Sequence, residues 1–183
     1  MLAVVDYQRP QKLYRYSKYE SLERSLTLGE FRLLPSMPDE TMRQSASGEQ
    51  ILPFKSSKPQ SAAALNYLTL SLTNAWDEKL FNKATGTDSC LIIHKPEEFG
   101  ERIHRAVRKL LPNWAGIDAA ISYGVQSPLG AAFSKSKQNA NQKEWLFAWR
   151  PIQSISLMQP VVIQIGSIES MAELRREAFK TSL

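Results

Sequence analysis

The chain predicts a single α+β domain, a mixed or antiparallel sheet flanked by helices. Three observations lead there. Short runs rich in aromatic, aliphatic and β-branched residues recur along the length. Helical stretches with start and stop signals fall between some of them. Strands and helices do not alternate with the regularity of a doubly wound sheet. With 183 residues, 43% hydrophobic and 22% charged, the chain fits one domain over 1–183 and can bury a sizeable core.

Leu13-Tyr14-Arg15-Tyr16 opens the order as a short, aromatic-rich strand. Ser17 and Glu20 form a capping-box pattern, S-x-x-E, for a helix that carries Tyr19, Leu22 and Leu26 on one face and ends at Gly29. Phe31-Arg32-Leu33-Leu34 is a second strand, stopped by Pro35 and Pro38. Positions 35–60 hold four prolines among many polar residues and read as a long loop inside the domain. Tyr67 to Thr73 alternates as a strand, and Cys90 to His94 is an apolar run of strand length. Pro96 at a first turn, Glu97 and Glu98 behind it, and Ile103, Val107 and Leu110 on one face make a helix over roughly 96–111. Strands are expected at Ala119–Val125, Glu144–Arg150 and Val161–Ile165. Ser167 is expected to cap a C-terminal helix carrying Met171, Leu174 and Ala178.

The net charge of +5 favours anionic ligands without marking a nucleic-acid binder, since no block of like charge appears. No apolar run approaches the ~18 residues of a membrane span. Met1 to Asp6 lacks the basic and apolar regions of a signal peptide, and one cysteine, Cys90, allows no internal disulfide. A cytoplasmic setting without membrane contact is expected. Two histidines and one cysteine do not build a usual zinc site, so no metal is expected. His94 reads as a strand-end residue. His104 lies among Arg102, Arg105 and Arg108 on a solvated helix face.

Polar residues in three strands stand out. Arg15 lies between tyrosines, Ser71 and Thr73 lie two apart, and Gln142 and Glu144 open the strand that continues Trp145-Leu146-Phe147-Ala148-Trp149. Positions two apart in a strand face one way, so Gln142 and Glu144 are expected to project together. Trp145, Phe147 and Trp149 form a stripe whose ordinary fate is the core. The opposite face, with Leu146, Ala148 and Arg150, is expected to leave space above it. Each polar residue also has a plain structural reading: Arg15 as an ion-pair partner of Glu20 or Glu23, Ser71 and Thr73 as an outward strand face, Gln142 as a loop residue.

An Arg in an aromatic first strand, a hydroxyl pair in a middle strand and a Q-x-E at a later one together resemble the arginine/serine/glutamate signature of mono-ADP-ribosyltransferases. The opening Tyr14-Arg15-Tyr16 and the closing Gln142-Lys143-Glu144-Trp145 also look like a bacterial family of unassigned function with YRY/YKY and Q-x-E-W-R strands. Leu146 here stands where that family has Arg, and Thr69–Thr73 takes the place of its C-F-S strand.

The first resemblance implies an ADP-ribosyltransferase-like fold and NAD as co-substrate. Glu144 would hold the ribose and stabilise its developing cation. Gln142 would orient the acceptor, Arg15 would clamp a phosphate, Ser71 would orient Glu144 and line the nicotinamide pocket, and Thr73 and Tyr67 would join Arg15 and Ser71 in binding the cofactor. Tyr67, Phe81, Tyr123 or Phe133 would stack on nicotinamide. The acceptor would be a macromolecule, protein before nucleic acid, and the size suits a bacterial or phage toxin or effector. A non-catalytic binding or inhibitor protein on the same scaffold, acting by protein–protein contact, is the alternative from another class. A nucleic-acid binder rests on charge alone.

Overall fold

The computed structural model describes residues 8–36, 67–82, 85–153, 155 and 158–177. The long loop expected over 35–60 lies outside the described residues from position 37 onward, as does Ala178. In chain order the elements are β1 (Leu13–Ser17), α1 (Tyr19–Leu28), β2 (Glu30–Ser36), β3 (Tyr67–Thr73), β4 (Ser89–Ile93), α2 (Pro96–Leu110), β5 (Trp114–Ala120), β6 (Ser122–Tyr123), β7 (Ser134–Lys135), β8 (Glu144–Pro151), β9 (Val161–Gln164) and β10 (Ala172–Arg176). Short 3-10 turns lie at Glu78–Leu80, Ala131–Phe133 and Lys137–Gln142. The class is α+β, and the pairing is mostly antiparallel. Among the described residues no helix is long and apolar enough to cross a membrane.

The chain forms two compact units, each drawn from separate stretches of sequence. The first takes Met1–Arg9, Leu33–Ser71 and Asn113–Val161. In it β8 pairs β5 along its length, from Trp114↔Pro151 to Ala120↔Trp145, and also pairs β3. Alternation along β8 splits its side chains. Trp145, Phe147 and Trp149 share one face and are 2%, 0% and 2% exposed, so the aromatic stripe is core. Asp118 of β5 lies on that face and accepts from Trp145 Nε1 at 2.9 Å, while the Arg9 fork grips the same carboxylate at 2.7 Å on both oxygens. The opposite face carries Glu144, Leu146 and Ala148. Tyr67, Ala119, Ile121, Leu129, Ala132 and Phe133 pack over Leu146 and Ala148 in one cluster. The open space expected above that face is therefore filled, because the segment after β5 folds back and buries its own apolar side chains there.

The second unit takes Pro10–Arg32, Leu72–Pro112 and Val162–Leu183. Here β4 lies between β1 and β10, with Arg15↔Leu91 and Leu174↔Leu91 among the pairs. Leu13, Leu22, Phe31, Leu91, Ile93, Phe99, Ile103 and Val107 are buried. Phe31 and Phe99 meet edge to face at 5.3 Å. Along β1 the alternate residues Tyr14 and Tyr16 pack with Trp76 and Phe81, ring centroids 5.2–6.1 Å apart. α2 has Pro96 in its first turn with Glu97 and Glu98, and Arg108 and Lys109 in its last, the order its dipole favours.

Four local expectations need correction. Ser17 ends β1 and does not cap α1; the N-cap is Lys18, and the Asp88 carboxylate accepts the Tyr19 N–H at 2.8 Å. β2 runs through Pro35, which pairs with Leu68 near the strand end, where a missing N–H costs little. The strand placed at Ala119–Val125 begins earlier, at Trp114, and stops at Ala120. The C-terminal helix is a strand: Ala172–Arg176 pairs with β4, and His94 N–H and Glu177 N–H extend the ladder at 2.8 Å each. A neighbouring strand that pairs along the whole segment outweighs the helix propensity of Ala-Glu-Leu-Arg-Arg.

Candidate functional site

Glu144 is the first residue of β8, and the residue before it sets its direction. Lys143 has φ 45, a left-handed conformation that few side-chain-bearing residues adopt. The chain thus leaves the 3-10 turn at Lys137–Gln142 and enters the strand in a new direction. Gln142 belongs to that turn and is exposed. It does not share a strand face with Glu144, because strand alternation does not reach back across Lys143. The paired projection expected of Gln142 and Glu144 is absent, and the role of acceptor-orienting residue has no geometry behind it.

Three side chains of the same unit converge on Glu144. Ser71 Oγ, on the neighbouring strand β3, donates to Oε1 at 2.8 Å. Lys135 Nζ donates to Oε1 at 2.9 Å and to Oε2 at 2.7 Å. Tyr123 OH donates to Oε2 at 3.3 Å and accepts the Glu144 N–H at 2.9 Å. Tyr123 and Lys135 arrive together because β6 and β7 pair in parallel with Tyr123 opposite Lys135. The loop between those strands is pinned by its serines. Ser134 Oγ accepts from Ser127 N–H at 2.9 Å and donates to Gly130 O at 3.0 Å. Phe133, 1% exposed, anchors it to the core.

The site is a half-sheltered ion pair. The Glu144 side chain is 12% exposed and that of Lys135 32%. Burial pushes the Tyr123 phenol up to about 12, with the Glu144 charge adding to the rise and its N–H opposing it, so Tyr123 remains a hydroxyl donor at neutral pH. A carboxylate oriented by two hydroxyls is the kind of group that accepts from a sugar hydroxyl and stabilises a nearby cation, once one of its present donors gives way.

The remaining predicted residues lie elsewhere. Tyr67 is 4% exposed inside the core cluster, and burial raises its phenol, opposed by the neighbouring Arg150. Its ring and that of Phe133, 1% exposed, are buried in the core and present no exposed stacking face. Phe81 belongs to the aromatic cluster of the second unit. Thr73 is also in the second unit, where its hydroxyl is 3.4 Å from the backbone of Ala75. Thr73 pairs directly with Tyr14, so the neighbouring Arg15 points to the other face of that sheet. The Arg15 guanidinium lies over the Phe31 ring, 5.6 Å from its centroid. Its Nη1 is sealed from solvent without a hydrogen-bond partner among the described residues, and desolvation holds its pKa down to about 10. Arg15 and Thr73 are thus not brought together, whereas Ser71 and Glu144 are.

Lys135 was not singled out from sequence, and Tyr123 was named only as a stacking ring. Lys135 sits in Ser134-Lys135-Ser136-Lys137, a polar stretch in which nothing distinguishes one lysine from the other. Only the β6–β7 pairing selects it. Among the described residues no group of three or more His, Cys, Asp or Glu side chains is placed to hold a metal ion. Comparison with protein-family models, curated proteins and solved structures gives no match.

Proposed function

We propose that the protein is an NAD-dependent mono-ADP-ribosyltransferase that modifies a macromolecule, with Glu144 as its catalytic carboxylate. The observation that carries this reading is the 2.8 Å hydrogen bond from Ser71 to Glu144. It joins the hydroxyl of a middle strand to the carboxylate at the mouth of a later one. In the reaction the bond between nicotinamide nitrogen and ribose C1′ breaks, and its electron pair leaves with nicotinamide. Glu144 accepts from a ribose hydroxyl and offsets the positive charge spreading over C1′ and the ring oxygen. The acceptor's nucleophile then bonds to C1′ and gives up its proton to solvent. Ser71 and Tyr123 hold the carboxylate in one orientation, so little reorganisation is left for the transition state.

The test is incubation of the protein with labelled NAD and a cell lysate, wild type beside Glu144→Gln. The expected result is label transfer by wild type and its loss by at least about a hundredfold in the variant. Equal transfer, or none in either, overturns the reading.

One observation favours a second reading, a binding protein acting through protein–protein contact. Tyr67, Ile121 and Phe133 fill the face of β8 beyond Glu144, leaving the carboxylate network beside packed core. Stable capture of one lysate protein by wild type and Glu144→Gln alike, without NAD cleavage, would establish it.

A further inference from the structure

The Glu144 carboxylate is saturated by its own protein. Oε1 takes hydrogen bonds from Ser71 and Lys135, and Oε2 from Lys135 and Tyr123. A carboxylate offers about four lone-pair sites. A ribose hydroxyl can therefore donate to Glu144 only after a protein donor has left. Ser71 is a short side chain on the strand beside β8, and Tyr123 is tied a second time by the Glu144 N–H. Lys135 is the partner built to move. Its ammonium ends a flexible four-carbon stem, and its side chain is the more exposed of the ion pair, 32% against 12%. It also carries the wrong charge for the reaction. An ammonium on both carboxylate oxygens neutralises the charge that would stabilise a ribosyl cation.

We propose that Lys135 is a built-in gate: a resident cation that competes with the cationic ribosyl end of a nicotinamide dinucleotide for Glu144 and must move off before turnover. The inference rests on the transferase reading of Glu144 and adds a regulation that the reading does not contain. A site whose competent form is only partly populated binds with an affinity reduced by that fraction. Lys135 then sets the concentration of dinucleotide at which the site opens. Anything that draws the ammonium away, such as an anionic surface on the acceptor, opens it earlier.

Two measurements test the gate, both on the full chain. The first is nicotinamide release from NAD by wild type, Lys135→Met and Lys135→Arg. Lys135→Met keeps the apolar stem and removes the charge; it is expected to lower KM about tenfold with kcat not reduced. Lys135→Arg keeps the charge and adds a fork, and its KM is expected to stay at or above that of wild type. An unchanged or higher KM in Lys135→Met, assayed well below its own melting temperature, overturns the gate and leaves Lys135 a supporting residue. The second is carbodiimide-driven coupling of Glu144 to an amine, followed by peptide mass spectrometry. Coupling about tenfold faster in Lys135→Met than in wild type is expected, because the carboxylate is uncovered. Equal coupling overturns the gate whether or not NAD is cleaved. Faster coupling without nicotinamide release from any of the proteins supports the gate on Glu144 and overturns the transferase reading.

Discussion

The strength of the Lys135–Glu144 pair can be worked out from its surroundings and measured without any substrate. Two unit charges 4 Å apart attract by about 4 kcal/mol at an effective dielectric of 20. Desolvation takes back part of that. Exposures of 12% and 32% place the pair between a surface bridge, worth about 0–1 kcal/mol, and a fully buried one. Charge-assisted hydrogen bonds of such length net about 1.5–3 kcal/mol. The coupling expected is about 2 kcal/mol. The assay is a double-mutant cycle by urea unfolding of wild type, Lys135→Met, Glu144→Leu and the double variant. Each single change should cost about 2 kcal/mol or more, since each strands a polar partner, and the double variant should cost much less than their sum. A coupling below about 0.5 kcal/mol would refute the reasoning. It would also remove the gate, because about 1.4 kcal/mol is needed to hold back binding tenfold.

Further predictions concern the frame around the site. Gly29→Ala should lower stability by about 2–4 kcal/mol and the melting temperature by roughly 5–10 °C; Gly29 has φ 64 and a Cβ there would collide with the Gly166 carbonyl, so an unchanged melt contradicts that packing. Arg15→Met should leave stability within about 1 kcal/mol of wild type or raise it, because burial of an unpartnered Nη1 penalises the charged form; a loss above about 3 kcal/mol would mean that the charge has a partner the packing does not reveal. Tyr123, raised from 10.0 to about 12, contributes stability that is full below pH 10 and is lost as pH rises from 10 to 12. Its ring is only partly buried, so screening reduces that contribution to about 1 kcal/mol. Thermal melts of wild type and Tyr123→Phe at pH 9 and 11 should differ in alkaline loss, and equal losses would contradict the assignment.

The legible parts of the fold were those where one local signal suffices. α2 announces itself through Pro96, two glutamates and an apolar face, and Gly29 marks the end of α1 by its left-handed turn. The strands at Tyr67–Thr73 and Glu144–Pro151 stand out by β-favouring composition. What sequence missed depends on partners far along the chain. Ala172–Arg176 has a helix former's composition and becomes a strand because β4 offers an edge. The cap of α1 comes from Asp88, beyond any capping-box pattern. The Trp145-Phe147-Trp149 stripe was readable as core, yet periodicity along β8 says nothing of how the segment from Ile121 to Phe133 covers the other face.

The site divides along the same line. Ser71 and Glu144 could be paired from their strands because both sit where side-chain direction follows from alternation. Gln142 could not be placed, since one left-handed residue, Lys143, resets the direction that alternation assumes. Lys135 was invisible for a different reason. A lysine in a polar stretch carries no orientation, and it becomes an ion-pair partner only through a two-residue strand, β7, held by serine hydroxyls and Phe133. That scaffold bears on what the pair does. A solvated surface lysine paired with a glutamate needs no pinned loop to hold it. Here Ser127, Ser134, Phe133 and the β6–β7 pair together deliver one ammonium onto both oxygens of one carboxylate. Loosening that loop should therefore act on Glu144 through Lys135. Ser134→Ala removes the hydroxyl that accepts from Ser127 and donates to Gly130, and it should raise carbodiimide coupling at Glu144 toward the Lys135→Met level. Coupling that stays at the wild-type rate in Ser134→Ala would show that the ion pair holds its place without the loop.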